Sequence, residues 1–190
     1  FQNINGVSYY TDYQNNSDGS YQQIYYTADF EQILVDGKSP NVNAAIFWIE
    51  KDDGILLRLP NGKELFVDDA VSVFGGICPD NYSIVTYDND SNYNSDISVL
   101  DSEGNVILTS TSTSYAGFIT DSITGVSYIY LPAAASYGTY NVYAMDGTRL
   151  LSGVTTLEAT GGLFQCSDAV STGIKNTENE WVLRVKLDTE

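Results

Sequence analysis

Apolar and polar residues alternate along this chain in short bursts. Runs rich in Val, Ile, Tyr and Thr recur: GVSYY, QQIYY, AAIFWI, GILLRL, YSIVTY, ISVL, NVILTS, VSYIYL, YNVYAM and WVLRVKL. Clusters of Gly, Asn, Asp and Ser separate them. Branched and aromatic side chains suit a pleated, half-buried surface, and the clusters supply turn formers. No stretch of useful length carries apolar residues at a 3.6-residue period, so essentially no helix is expected. The pattern predicts an all-β protein of short antiparallel strands.

The turns between these runs are periodic. Hairpins with a Gly turn are expected at LPNGKELF (59–66), LDSEGNVIL (100–108) and AMDGTRLL (144–151). Their glycines, Gly62, Gly104 and Gly147, stand 42 and 43 residues apart (62 to 104, 104 to 147). A bulged hairpin turn needs a positive φ, which Gly adopts without steric cost. TADFEQIL (27–34) occupies the place of an earlier copy, with Phe30 near the turn. The closing LDTE resembles LDSE at 100–103, which predicts that WVLRVKL is the third strand of a unit whose fourth is missing. Strand 181–187 is then expected to pair with residues 1–5 or with another chain, because bare edges are a liability.

Pairs of tiny residues share the same phase: Ala44-Ala45, Gly75-Gly76, Ala116-Gly117 and Gly161-Gly162. Such residues suit strands that crowd other backbones, and the last three pairs are expected on innermost strands. NGVSYYT at 5–11 also resembles TGVSYIY at 124–130. Four short strands in a unit of about 40–45 residues are the mark of a propeller blade. The chain resembles a bacterial secreted or surface β-propeller repeat protein on this period and turn placement. The resemblance implies about five blades, with the first and last incomplete, in units near 1–40, 41–73, 74–115, 116–159 and 160–190. The GH…WD pair of one common blade type and the Gly-Gly plus Trp pattern of another are missing. Propellers host unrelated activities, so the fold alone selects none.

Composition narrows the partners. The chain has 190 residues, 25 acidic and 8 basic, for a net charge of −17. Such a field repels nucleic-acid phosphates and anionic lipid headgroups. No apolar run is long enough to span a bilayer. The start, FQNINGVSYY, does not have the pattern of a signal peptide. Abundant Tyr and scarce Lys give an extracytoplasmic texture, and localisation as a secreted or surface protein is expected. Cys78 and Cys166, 88 positions apart (78 to 166), are expected as free buried thiols rather than a disulfide. With no His, neither a Cys/His zinc site nor a Ser-His-Asp nucleophile is expected.

The most pointed local feature is DNDSNYNSD at 88–96. Asp88, Asp90, Asn92, Asn94 and Asp96 alternate there, and alternate oxygen ligands can converge on a hard cation such as Ca²⁺. The EF-hand pattern is only partly met, because Tyr93 takes the Gly place and Val99 that of the closing Glu. A polar loop of turn formers is the other reading. Paired carboxylates occur at Asp52-Asp53, Asp68-Asp69 and Asp101 with Glu103, in turn contexts that leave them solvated. Asn15, Asn81 and Asn89 each begin an N-x-S triplet, which chance explains in a chain this rich in Asn and Ser. Trp48 and Trp181 read as packing residues. Tyr13, Tyr87, Tyr93 and Tyr137 lie in or beside loops of the face that binds ligands in propellers. They could stack on and hydrogen-bond a glycan, or anchor a protein. The expected function is an extracytoplasmic, non-catalytic binding or protein-interaction module. The alternatives are a carbohydrate-binding, lectin-like propeller and a fragment of a propeller glycosidase, which would need two placed carboxylates.

Overall fold

The structure is a computed structural model that describes residues 1–4, 7–43, 45–74, 79–87, 95–112, 116–133 and 138–187. Among these residues it is all-β, apart from one 3₁₀ turn at Pro79–Asn81. The chain separates into two compact units: Phe1–Asp88 with Val99–Asn105, and Asn89–Ser98 with Val106–Glu190.

In the first unit β1 (Gln2–Ile4), β2 (Val7–Asn15) and β3 (Tyr21–Thr27) form an antiparallel sheet in chain order. Beyond Phe30 the chain folds back along β3, where the Ile33 amide donates to the Tyr25 carbonyl at 2.7 Å. A second meander follows: β4 (Asn41–Asn43), β5 (Ile46–Lys51), β6 (Gly54–Arg58) and β7 (Glu64–Asp68). Strand β10 at Ser95–Leu100 falls partly in each unit and β11 at Val106–Ser112 belongs to the second, while in the first unit β8 at Ala70–Phe74 pairs antiparallel with β9 at Ser83–Tyr87. The core of this unit centres on three rings. Tyr9, Tyr25 and Phe47 meet edge to face, with centroids 5.5–5.9 Å apart, and Ile33, Val35 and Ile49 pack around them. Edge-to-face contact sets the positive ring edge against the negative ring face, and adds to the gain from burial.

In the second unit β12 (Gly117–Thr120), β13 (Ser127–Pro132), β14 (Tyr140–Ala144), β15 (Arg149–Thr160), β16 (Leu163–Ser167), β17 (Ser171–Lys175) and β18 (Trp181–Lys186) follow one another in a seven-stranded sheet. Strand β15 serves two ladders. Its first half pairs with β14 up to Val154, and its second half pairs with β16 from Thr155. Gly153 sits at the change-over with φ 62°, and its amide donates to Asn141 Oδ1. A left-handed residue inside a strand is the usual device for a bulge and bend. Tyr128, Val142, Leu151, Val154, Ala159, Phe164 and Cys166 form the core, and Trp181 packs against it.

One turn recurs through both units. At Gly62, Gly104 and Gly147 the amide donates back three residues, and a second bond closes the wider loop, such as Asp101 N–H to the Asn105 carbonyl. All three glycines have φ between 85° and 90°. The same bonds occur with Phe30 (φ 63°) and Asn179 (φ 64°) in the Gly place. The exposed Phe30 ring stacks on Tyr10 at 5.0 Å and 12°. That contact helps hold a backbone geometry that bulky residues disfavour.

Three expectations change. Gly161-Gly162 are not on an inner strand. They form the tight turn between β15 and β16, with φ 62° and 77°, a left-handed pair that two glycines make at least cost. The run WVLRVKL contains β18, which is the fourth strand of the ladder that begins in the second half of β15. Its preceding turn is the Asn179 turn, so the phase taken from the likeness of LDTE to LDSE is corrected. Residues 2–4 pair with β2 as β1, and no ladder between β1 and β18 occurs among the described residues. Ala116-Gly117 opens β12, whereas Gly75-Gly76 and Cys78 lie outside the described residues. Cys166 is a buried free thiol, and burial raises its pKa.

Candidate functional site

Two open clefts are built very differently. The first, in the second unit, has a volume of about 320 Å³ and is lined by Phe118, Ile119, Tyr130, Tyr140 and Leu157. Its residues come from β12, β13, β14 and β15, so the cleft is carried by hydrogen-bonded backbone rather than by loops. Tyr130 and Tyr140 meet edge to face at 5.3 Å and 83°. Gly117 lies opposite Tyr130 in the β12–β13 ladder. A Cβ added at Gly117 would stand 2.5 Å from the Tyr130 hydroxyl, so Gly is what lets this phenol lie across β12. Burial first, and the neighbouring Tyr140 second, raise the Tyr130 pKa. The phenol therefore stays neutral at physiological pH and can both donate and accept.

Asp121 supports the same region. It is buried, and its carboxylate accepts from the amides of Ile123, Thr124 and Gly161 through Oδ1, and of Gly162 through Oδ2. It therefore ties the β12–β13 connection to the β15–β16 turn. Burial pushes its pKa up, but the four amides (Gly162, Thr124, Ile123 and Gly161) outweigh burial and hold the carboxyl far below its usual range.

The second cleft, in the first unit, has a volume of about 460 Å³. Glu50, Lys51, Asp52, Asp53 and Gly54 line one side, and Asp69, Ala70 and Val71 the other. The Asp69 amide donates to the Asp53 carbonyl at 2.9 Å, which closes the β5–β6 turn against the β7–β8 link. Lys51 pairs with Asp36. The Asp52-Asp53 pair singled out above and Asp69 of a second pair thus line one acidic cleft. Among the described residues no group of three or more His, Cys, Asp or Glu side chains is placed to hold a metal ion.

The expected site residues are dispersed. Asp88, Asp90, Asn92, Asn94, Tyr93 and Tyr137 lie outside the described residues. Asp96 is exposed near the start of β10, and its Oδ1 accepts from the Thr111 hydroxyl. Tyr13 is 68% exposed and lies within β2 rather than in a loop. Tyr87 is half-buried at the end of β9, opposite Ala70 beside the acidic cleft. The aromatic cleft was not anticipated. Its one signal was the Ala116-Gly117 pair, read as crowding by backbone when what crowds Gly117 is the Tyr130 ring.

No protein-family model and no curated protein matches the chain. One solved structure similar to it is the crystal structure of a protein of unknown function from Bacteroides caccae at 1.35 Å resolution. The identity is 17%, and the match covers 86% of this chain and 68% of the other, with a TM-score of 0.29. A score at that level carries no statement about a shared fold. What stands is the class: an all-β protein of successive antiparallel meanders.

Proposed function

We propose that the chain is a non-catalytic binding module that works outside the cytoplasm, with its meanders as blades of a β-propeller. The architecture is supported by the repeated up-and-down run of strands and by the shared turn before the last strand of a run, at Gly62, Gly104, Gly147 and Asn179. The compositional texture, rich in Tyr and poor in Lys, supports the location.

The binding reading is carried by the aromatic cleft. Two tyrosines, a phenylalanine and two aliphatic side chains form a concave surface at the small end of the range for ligand sites. The rings offer flat apolar faces, and the phenols offer hydrogen bonds beside them. That pairing suits a sugar ring, which has an apolar face and a hydroxyl rim, and it favours the carbohydrate reading over a broad protein contact. The acidic character of the chain argues for a neutral or cationic ligand. A glycan array probed with the parent protein and with Tyr130→Ala, in calcium and in chelator, tests the proposal. Binding by the parent that is lost in the variant is expected. Equal binding by both, or none by the parent, contradicts the reading.

A further inference from the structure

Strand β18 is the end of its sheet, and the side away from β17 faces no strand among the described residues. Val182, Leu183 and Val185 are each more than half exposed. Arg184 and Lys186 stand among them, in a chain with 8 basic and 25 acidic residues. An open edge carrying apolar and cationic side chains is a template for another strand, and an acidic strand complements it.

Strand β7 is such a strand. It ends the sheet β4-β5-β6-β7, with Glu64 and Asp68 exposed and Phe66 exposed between them. Hydrogen-bond parity restricts how the two edges can meet. The Asp69 amide donates to the Asp53 carbonyl, and the Lys63 carbonyl accepts from the Leu59 amide. The odd-numbered residues of β7 therefore bond inward to β6, and Glu64, Phe66 and Asp68 point their amides and carbonyls outward. On β18 the Leu187 amide donates to the Val170 carbonyl, so Leu183 and Val185 bond inward and Arg184 and Lys186 outward. Outward residues of two antiparallel edges must lie opposite each other. Placing Glu64 opposite Lys186 and Phe66 opposite Arg184 meets that rule. It brings opposite charges together, sets a guanidinium by an aromatic ring, and puts Leu65 beside Val185 and Val67 beside Leu183 on the other face. Pairing β18 with a second β18 would instead bring cations together, which is unfavourable.

We propose that β18 of one copy adds to β7 of a second copy as an antiparallel fifth strand. The two edges are different surfaces, so the association is head to tail. The net charge of each copy opposes it at low ionic strength. At about 0.15 M salt, where the screening length is about 8 Å, the long-range repulsion is damped and the contact pairs remain.

Sedimentation velocity at that salt, across a wide concentration series, tests this. The parent's weight-average mass is expected to rise above that of one chain. The exposed-site variants Arg184→Glu with Lys186→Glu, and Glu64→Lys with Asp68→Lys, are each expected to stay at one chain. Mixing the two variants, or combining all four changes in one chain, restores opposite charges at the junction and is expected to restore association. A parent that stays at one chain throughout overturns the proposal. So do reversal variants that associate like the parent, or a mixture that fails to associate.

Discussion

The two clefts differ in what holds them. Phe118, Ile119, Tyr130, Tyr140 and Leu157 stand on four adjacent strands, three of which also supply core residues, and Ile119 and Leu157 pack against that core, so the cleft and the core share one scaffold. Asp52, Asp53 and Asp69 stand on turns, and their side chains are solvated. A cleft on strands is pre-organised, because its side chains are fixed by packing and cost little entropy to engage. A cleft on turns has charge without that fixing. The proposed reading therefore places its ligand at the aromatic cleft, although the acidic cleft is larger.

The contrast breaks first at the core behind the aromatic cleft. Phe164 is fully buried and meets Tyr128 edge to face at 4.9 Å. Phe164→Ala is expected to cost about 3–5 kcal/mol through lost burial and the cavity left behind. A thermal melt of variant against parent checks this, and a loss under 1 kcal/mol would mean that the core and the cleft are not one scaffold.

The next effect is at Asp121. Its pKa is lowered on folding, so its contribution to stability is fully present above the unfolded-state value of about 3.9 and is lost as pH falls through the acid range toward the folded value. Asp121→Asn should lower the melting temperature at pH 7 and flatten the acid limb of the stability curve below about pH 4. Melts of parent and variant from neutral to acid pH test this. An unchanged acid limb would show that another carboxylate carries it.

Gly117→Ala tests the cleft with less effect on the fold. The new methyl meets the Tyr130 hydroxyl, and moving that ring is expected to cost about 1–3 kcal/mol and to weaken any ligand bound at the cleft. A melt and a binding titration separate the two effects. The smallest change is expected for Asp52→Asn with Asp53→Asn, within about 0.5 kcal/mol of the parent at each site, as for solvated surface positions.

Strands and turns were legible in the sequence because each is a local matter: alternation of apolar residues marks a strand, and Gly at a left-handed position marks a turn. The turn at Asn179 was hidden because Asn takes the Gly place, and that error shifted the phase of the last strands. Strand β15 was hidden as a single element because it bends at Gly153, inside 12 continuous strand residues, and changes ladder partner there. The aromatic cleft could not be read at all. Its residues are spread from Phe118 to Leu157, and each looks like an ordinary strand position until the register of four strands brings them together.

The most direct test of the aromatic cleft as the ligand seat is a map of backbone amide shifts in solution, recorded while a glycan that binds the parent on an array is titrated in. Shifts are expected to centre on residues 117–119, 130, 140 and 157, with 50–54 and 69–71 unmoved. Shifts centred on the acidic cleft, with the aromatic one silent, would contradict it.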